Sequence, residues 1–172
     1  MLPLRMIGWM AAVLSIPAIL SGCGNTNLPQ TSVVKGRVTY QGDPVEGATV
    51  IFGRGNRNMG AGEVALGKTD SNGDFSLTTH LAGQTDVKGA VPGEYKVTIS
   101  KHVPPPNISA AAYQAKVDAA NKIAEEGGMV APGDEPPAMV ELLPGKYSSP
   151  AQTELTAEVQ PGVVNDFPFE LQ

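Results

Sequence analysis

From Val33 onward apolar and polar side chains alternate with a period of two, the spacing that gathers one set of side chains on a single face of a β-strand. Val34, Gly36, Val38 and Tyr40 alternate with Lys35, Arg37 and Thr39. That run stops at Gln41-Gly42-Asp43-Pro44, where Pro fixes φ and Gly reaches conformations closed to other residues. Ala48, Val50 and Phe52 make a second inward set, and a third strand is expected over Glu63 to Thr69, with Val64 and Leu66 pointing one way. Asp70-Ser71-Asn72-Gly73-Asp74 is a dense turn signal, after which Phe75 and Leu77 restart the alternation. Val91-Pro92-Gly93 turns the chain into Tyr95, Val97 and Ile99. Leu155, Ala157 and Val159 are separated by Pro161-Gly162 from Phe167, Phe169 and Leu171. About seven short strands with turns between them predict an all-β fold, a small antiparallel Greek-key sandwich. Six of the eight aromatics beyond residue 22 fall on the inferred core face, which leaves Tyr113 and Tyr147 as the exposed ones.

One stretch departs from the alternation. Pro104-Pro105-Pro106 ends a strand, and between Ser109 and Glu126 the residues Tyr113, Val117, Ala120 and Ile123/Ala124 recur at helical spacing until Gly127-Gly128. Pro132 to Pro137 is extended and proline-rich. Residues 103–140 therefore read as an excursion between two strands, with a helix near 108–126. Its apolar stripe is mostly alanine and offers little area to bury. A helix lying on the sandwich, a loop that is helical part of the time and a partner-binding arm all fit that pattern.

The first 22 residues follow another rule. Arg5 precedes an apolar run from Met6 to Leu20, about 15 residues long, short of the roughly 20 that span a bilayer. Pro17 also argues against a permanent spanning helix. The run ends in Leu20-Ser21-Gly22-Cys23, which resembles the lipobox of bacterial lipoproteins. The resemblance implies cleavage between Gly22 and Cys23 and acylation of Cys23 with chains such as palmitate. Two or three acyl chains hold a protein firmly at a membrane, whereas one holds weakly. The plain alternative is an ordinary secretory signal with an incidental cysteine. Gly24, in place of Asp, favours outer-membrane delivery over retention at the inner membrane by the sorting rule of that class. Asn25 to Ser32 reads as a polar tether, giving three parts: leader 1–22, tether 23–32 and sandwich 33–172.

Composition narrows the chemistry. With 20 Gly and 15 Pro in 172 residues, the chain is too rich in helix breakers for a helical bundle or coiled coil. Twelve basic against 17 acidic side chains leave a net charge of −5. Without a basic tract such a chain is a poor ligand for phosphate backbones, so no nucleic-acid partner is expected. The single cysteine forms no internal disulfide and no thiolate cluster.

Val34-x-Gly36-x-Val38, Gly42-Asp43-Pro44-Val45-Glu46-Gly47-Ala48-Thr49-Val50, Thr69-Asp70-Ser71-Asn72-Gly73-Asp74-Phe75 and Pro92-Gly93-Glu94-Tyr95-Lys96-Val97 together resemble the carboxypeptidase regulatory-like domain. The resemblance covers about Val33 to Lys101. It implies a transthyretin-like (prealbumin-like) sandwich, a module that carries no catalytic residues of its own in metallocarboxypeptidases. Lys146-Tyr147, Thr153-x-Leu155-Thr156 and Asn165-Asp166-Phe167 resemble the ending of small bacterial lipoproteins built on this module.

Candidate chemistry is sparse. His80 and His102 are the only histidines and lack His-x-His or HExxH spacing, so no metal site is expected. Asp70, Asn72 and Asp74 suggest the start of a calcium loop, yet its glycine and distal glutamate are misplaced, and a β-turn explains them. The hydrolase built on a transthyretin-like fold, 5-hydroxyisourate hydrolase, depends on a His/Arg pocket and a Tyr-Arg-Gly-Ser tail, whereas this chain ends Phe169-Glu170-Leu171-Gln172. No Gly-x-Ser-x-Gly elbow appears. Glu125-Glu126 and Asp134-Glu135 read as solvated faces, and Gly53-Arg54-Gly55-Asn56-Arg57-Asn58 follows a strand without opening a helix, so it is no phosphate cradle. The expectation is a non-catalytic, lipid-anchored envelope module, structural or binding an envelope protein, without catalytic residues, cofactor or small-molecule substrate. A polysaccharide-binding module is the alternative, and a small accessory hydrolase the more distant one.

Overall fold

The computed structural model describes residues 29–54, 64–81 and 85–172; the expected leader 1–22, the expected cleavage and acylation site at Gly22 and Cys23, most of the expected tether and the stretch 55–58 lie outside the described residues. Along the described chain run β1 (Val34–Tyr40), β2 (Asp43–Pro44), β3 (Thr49–Gly53), β4 (Val64–Lys68), β5 (Asp74–Ser76), β6 (Thr78–Leu81), β7 (Thr85–Lys88), β8 (Gly93–Ser100) and β9 (His102–Val103). They are followed by α1 (Ala110–Glu125), β10 (Val140–Glu141), α2 (Gly145–Ser148), β11 (Thr156–Val159) and β12 (Asn165–Leu171). The fold is the expected all-β sandwich with one helical insertion.

Two sheets face each other. In the first, β1 is central, with β12 on one side and β2 and β5 on the other. The second has the order β11-β8-β3-β4-β6-β7. Every ladder is antiparallel except β1 with β12, which runs parallel from Val34↔Asn165 to Tyr40↔Leu171. The strands β5 and β6 are one bent run that changes sheets at Leu77: its N–H donates to Val34 O at 3.0 Å, while its carbonyl accepts from Gly89 N at 2.7 Å. Such corners let one chain segment serve both layers without losing backbone hydrogen bonds.

The inward sets meet in one core. Val34 and Val38 from β1, Phe75, Phe169 and Leu171 pack against Val50, Phe52, Tyr95, Val97, Ile99, Ala157 and Val159 of the second sheet. Phe52 bridges the layers, with ring centroids 5.7 Å from Tyr95, 5.6 Å from Phe167 and 6.2 Å from Phe169. The strand β4 shows where period two has a parity but no sign. Val64 and Leu66 do share a face, but Ala65 and Gly67 face the core. A side chain at Gly67 would have its Cβ 2.4 Å from Ser76 O, so the bend between the sheets claims that space for backbone.

Turn residues act through specific hydrogen bonds. Gly73, at φ 76°, closes the Asp70 turn, and Asp70 Oδ1 accepts from the N–H groups of Asn72 and Asp74 at 2.8 and 3.0 Å. The Asp70 carboxylate thus serves the turn backbone, as the β-turn reading expects. Thr69, buried, ties two turns together: its Oγ1 accepts from Ala48 N at 2.7 Å and donates to Val45 O at 2.5 Å.

The two ends of the sandwich differ. Ser32 enters between Ala90 and the loop before β12, exchanging backbone hydrogen bonds with Ala90 at 2.8 and 3.0 Å and accepting from Gly162 N on its Oγ at 3.1 Å. From this entry end β8 runs seven residue steps, roughly 23 Å, to the far end, where the excursion departs.

Candidate functional site

The excursion is an arm with a fixed root. At its base Val140 pairs with Val103 and Glu141 with His102, so the ladder closes at the expected boundaries 103 and 140. Glu141 locks this root. One carboxylate oxygen, Oε1, accepts from the N–H groups of Lys101 at 2.8 Å and Leu143 at 3.0 Å. Its other oxygen faces His102 Nε2 at 3.9 Å. Leu142 N donates to Lys101 O at 2.8 Å. Beyond the root the returning chain is anchored by buried Leu143 and by α2, whose Tyr147 is also buried. Tyr147 Oη accepts from Gln172 N and donates to Gln172 O, both at 2.9 Å. The expectation that Tyr147 is exposed is therefore corrected: a partner 25 residues away in sequence draws it into the core.

On that root stands α1. Ser109 caps its start, with Oγ accepting from Ala112 N at 3.2 Å. Its end is a Schellman motif, with Gly127 N donating to Ala124 O at 3.0 Å and Gly128 N to Ile123 O at 2.8 Å. Gly127 takes φ 76°, the left-handed conformation this cap requires. The sequence reading of Gly127-Gly128 as a stop is thus explained by geometry. No residue of α1 is buried, which removes the reading of a helix docked on the sandwich. The stripe of Ala115, Lys116, Ala119, Ala120 and Ile123 instead lines a shallow cleft with Val130 and Asp134 of the returning segment. Around the arm several apolar side chains face water: Met129 is 94% exposed, and Met139, Val140 and Leu142 at the root are also exposed.

The titratable residues singled out in the sequence are not gathered. His80 lies in β6, its Nδ1 2.5 Å from Asp86 of β7, whereas His102 sits in the root ladder. By the strand registers they stand three strands apart across the second sheet and about six residues apart along it, roughly 14 Å and 20 Å. Among the described residues no three His, Cys, Asp or Glu side chains are grouped as metal ligands would be. On the outer face of the first sheet, a groove over Gly36 holds Lys35, Arg37, Asp74 and Asp166. These charges are already paired, Lys35 with Asp166 at 3.3 Å and Arg37 with Asp74 at 2.6 Å. The hydrogen bond from Arg37 holds the Asp74 carboxyl below its ordinary range. Deeper, burial pushes the Tyr95 hydroxyl up.

Sequence reasoning missed the Glu141 lock. An isolated acidic residue carries no local signal that it will satisfy two backbone amides, although its place at the end of a proline-flanked excursion is where unpaired backbone needs a partner. The fold and the arm define an all-β sandwich that presents a rooted helical insertion at one end. No protein-family model and no curated protein sequence matches the chain.

Proposed function

We propose that this chain is a non-catalytic, lipid-anchored module of the bacterial cell envelope, held at the outer membrane through acylated Cys23, which binds an envelope protein through the arm 103–140. The regulatory-like, transthyretin-like resemblance of Val33 to Lys101 belongs to the same proposal. The observation that carries it is the arm itself: a capped 16-residue helix with no buried residue, rooted by Glu141 at the end of the sandwich away from the chain's entry at Ser32. A helix of that length is marginal alone in water. An apolar fringe of Met129, Met139, Val140 and Leu142 around it supplies the kind of surface a protein partner covers. The polysaccharide alternative loses support, because Tyr147, one of its two candidate stacking residues, is buried against the C-terminus.

The test is photo-crosslinking in cells. Crosslinking amino acids are placed at Ala119 and Met139 on the arm and at Lys35 on the outer sheet face, in the complete chain. A discrete protein adduct at the arm positions, absent at Lys35 and abolished when 104–139 is replaced by a two-residue turn, is expected. Adducts that ignore the arm, or none at all, would overturn the proposal. Mass analysis of the N-terminal peptide checks the anchor: acyl chains on Cys23 are expected, and an unmodified thiol would refute that part.

A further inference from the structure

The entry end carries an apolar knuckle that the fold does not require. Val33, Val163 and Val164 are 52%, 49% and 61% exposed. Asn165 N donates to Val33 O at 2.8 Å, which sets Val33 beside the loop that carries the other two valines. That loop is rigid. The side-chain amide of buried Asn165 accepts from Gln160 N at 2.9 Å and donates to Gln160 O at 3.1 Å and Val163 O at 3.2 Å. Gly162 N is held by Ser32 Oγ. Three valines are thereby kept pointing into solvent on a closed loop, instead of being left to fold back on the core.

The position of the knuckle relative to the anchor gives it meaning. Ser32 is clamped next to the loop, and nine residue steps separate it from Cys23. A chain of that length reaches at most about 30 Å even when fully extended. A protein acylated at Cys23 therefore keeps its entry end within that distance of the bilayer, while the arm root lies at the opposite end of β8. Lys88, also exposed, sits beside the entry, where its carbonyl accepts from Thr31 Oγ1 at 2.9 Å, and adds a cation suited to anionic headgroups.

We propose that Val33, Val163 and Val164 form a membrane-seating surface: with Cys23 acylated, the knuckle dips into the headgroup region of the lipid bilayer and orients the sandwich so that the arm points away from the membrane. Apolar side chains held on a rigid loop gain from that interface without an ordering cost. The proposal rests on the anchor reading above and adds to it an orientation that an acyl anchor alone would not give.

The chain from Cys23 onward holds every described element and contains no tryptophan, since the only one is Trp9. A single reporter can therefore be introduced by Val163→Trp, or by Leu142→Trp at the arm root. Each protein is coupled through the Cys23 thiol to a maleimide phospholipid in phosphatidylethanolamine/phosphatidylglycerol vesicles containing brominated acyl chains. The indole at position 163 is expected to be quenched, and its quenching to fall several-fold when Val33→Ser and Val164→Ser are added. The indole at position 142 should stay unquenched. Equal quenching at the two positions, or quenching at 163 that ignores the two serines, overturns the seating surface. Because coupling is chemical, this readout is separate from acylation in cells. Acylated Cys23 with an unquenched indole removes the seating surface alone, and an unmodified Cys23 in cells removes the anchor and the seating surface with it.

Discussion

Thr69→Val tests whether one hydroxyl joins the turns on either side of β3 and β4. The substitution keeps size and branching and removes only the Oγ1 that accepts from Ala48 N and donates to Val45 O. Both Thr69 and Ala48 are buried, at 5% and 0% exposure, so water cannot replace the lost partner. An orphaned buried N–H costs about 1–3 kcal/mol and the lost bond to the carbonyl about 0.5–1.5 kcal/mol. The extra apolar contact from the new methyl returns only part of this, leaving a net loss of about 1–4 kcal/mol. For a chain of this size that is a fall in Tm of roughly 2–16 °C. Urea unfolding of the chain from residue 23, carrying Cys23→Ala to prevent thiol chemistry, should show a lower midpoint with an unchanged m value. Thr69→Ser, which keeps the hydroxyl and loses one methyl, should cost about 1 kcal/mol. A Thr69→Val loss under about 0.5 kcal/mol, or a serine variant as weak as the valine one, would show that the hydroxyl is not what ties these turns together.

Gly36→Ala should be far more damaging than its size suggests, because the added Cβ would lie 2.0 Å from Phe167 O and 2.8 Å from Phe75 Cε1. We expect a loss of at least about 3 kcal/mol by denaturant titration, since the clash is with backbone of the paired strand; a near-neutral result would mean that β1 and β12 separate easily. Replacing 104–139 with a two-residue turn should change the global unfolding free energy by under about 1 kcal/mol, since α1 has no buried residue, while circular dichroism loses its helical component. Ser109→Ala should weaken the helix by about 1 kcal/mol, read as faster amide exchange at Ala112 and Tyr113, with the transition of the sandwich unmoved. Asp74→Asn removes a carboxylate whose folded pKa is lowered by Arg37. Its stabilising effect is present above the unfolded value of 3.8 and is lost as pH falls through the lower folded value. Wild type should therefore lead the variant in Tm at neutral pH and the gap should close only on acidification below about 4; a gap that stays constant down to pH 2 would contradict this.

Much of the sandwich was legible because its signals are local. Alternation placed Val34, Val38, Val50, Phe52, Val97, Ile99 and Val159 inward, and all are buried. The Pro104 and Pro132 clusters marked an excursion whose closing ladder falls at Val103 and Val140. What escaped depends on partners distant in sequence. The parity of β4 was readable, but its direction is decided by the approach of Ser76 O to Gly67. The pairing of β1 with β12 joins the two ends of the domain, and nothing in either strand specifies that neighbour or its parallel sense. Tyr147 looked exposed because its partner is the backbone of Gln172. Of the candidate site, the helix and its glycine stop were visible from periodicity, whereas the Glu141 lock and the valine knuckle exist only once the loops close.

The placement of entry and arm on two different central strands has a mechanical consequence. Tension applied at Ser32 loads β1, which is flanked by β12 on one side and by β2 and β5 on the other. Tension applied through the arm root loads β8, flanked by β11 and β3. The two pulls leave from opposite ends and run along the strand axes, across ladder hydrogen bonds that lie transverse to them. Those bonds are strained together, in shear, instead of being peeled one at a time. A sandwich stretched between its entry point and its arm therefore resists extension as a block, and yields only when a whole ladder gives way.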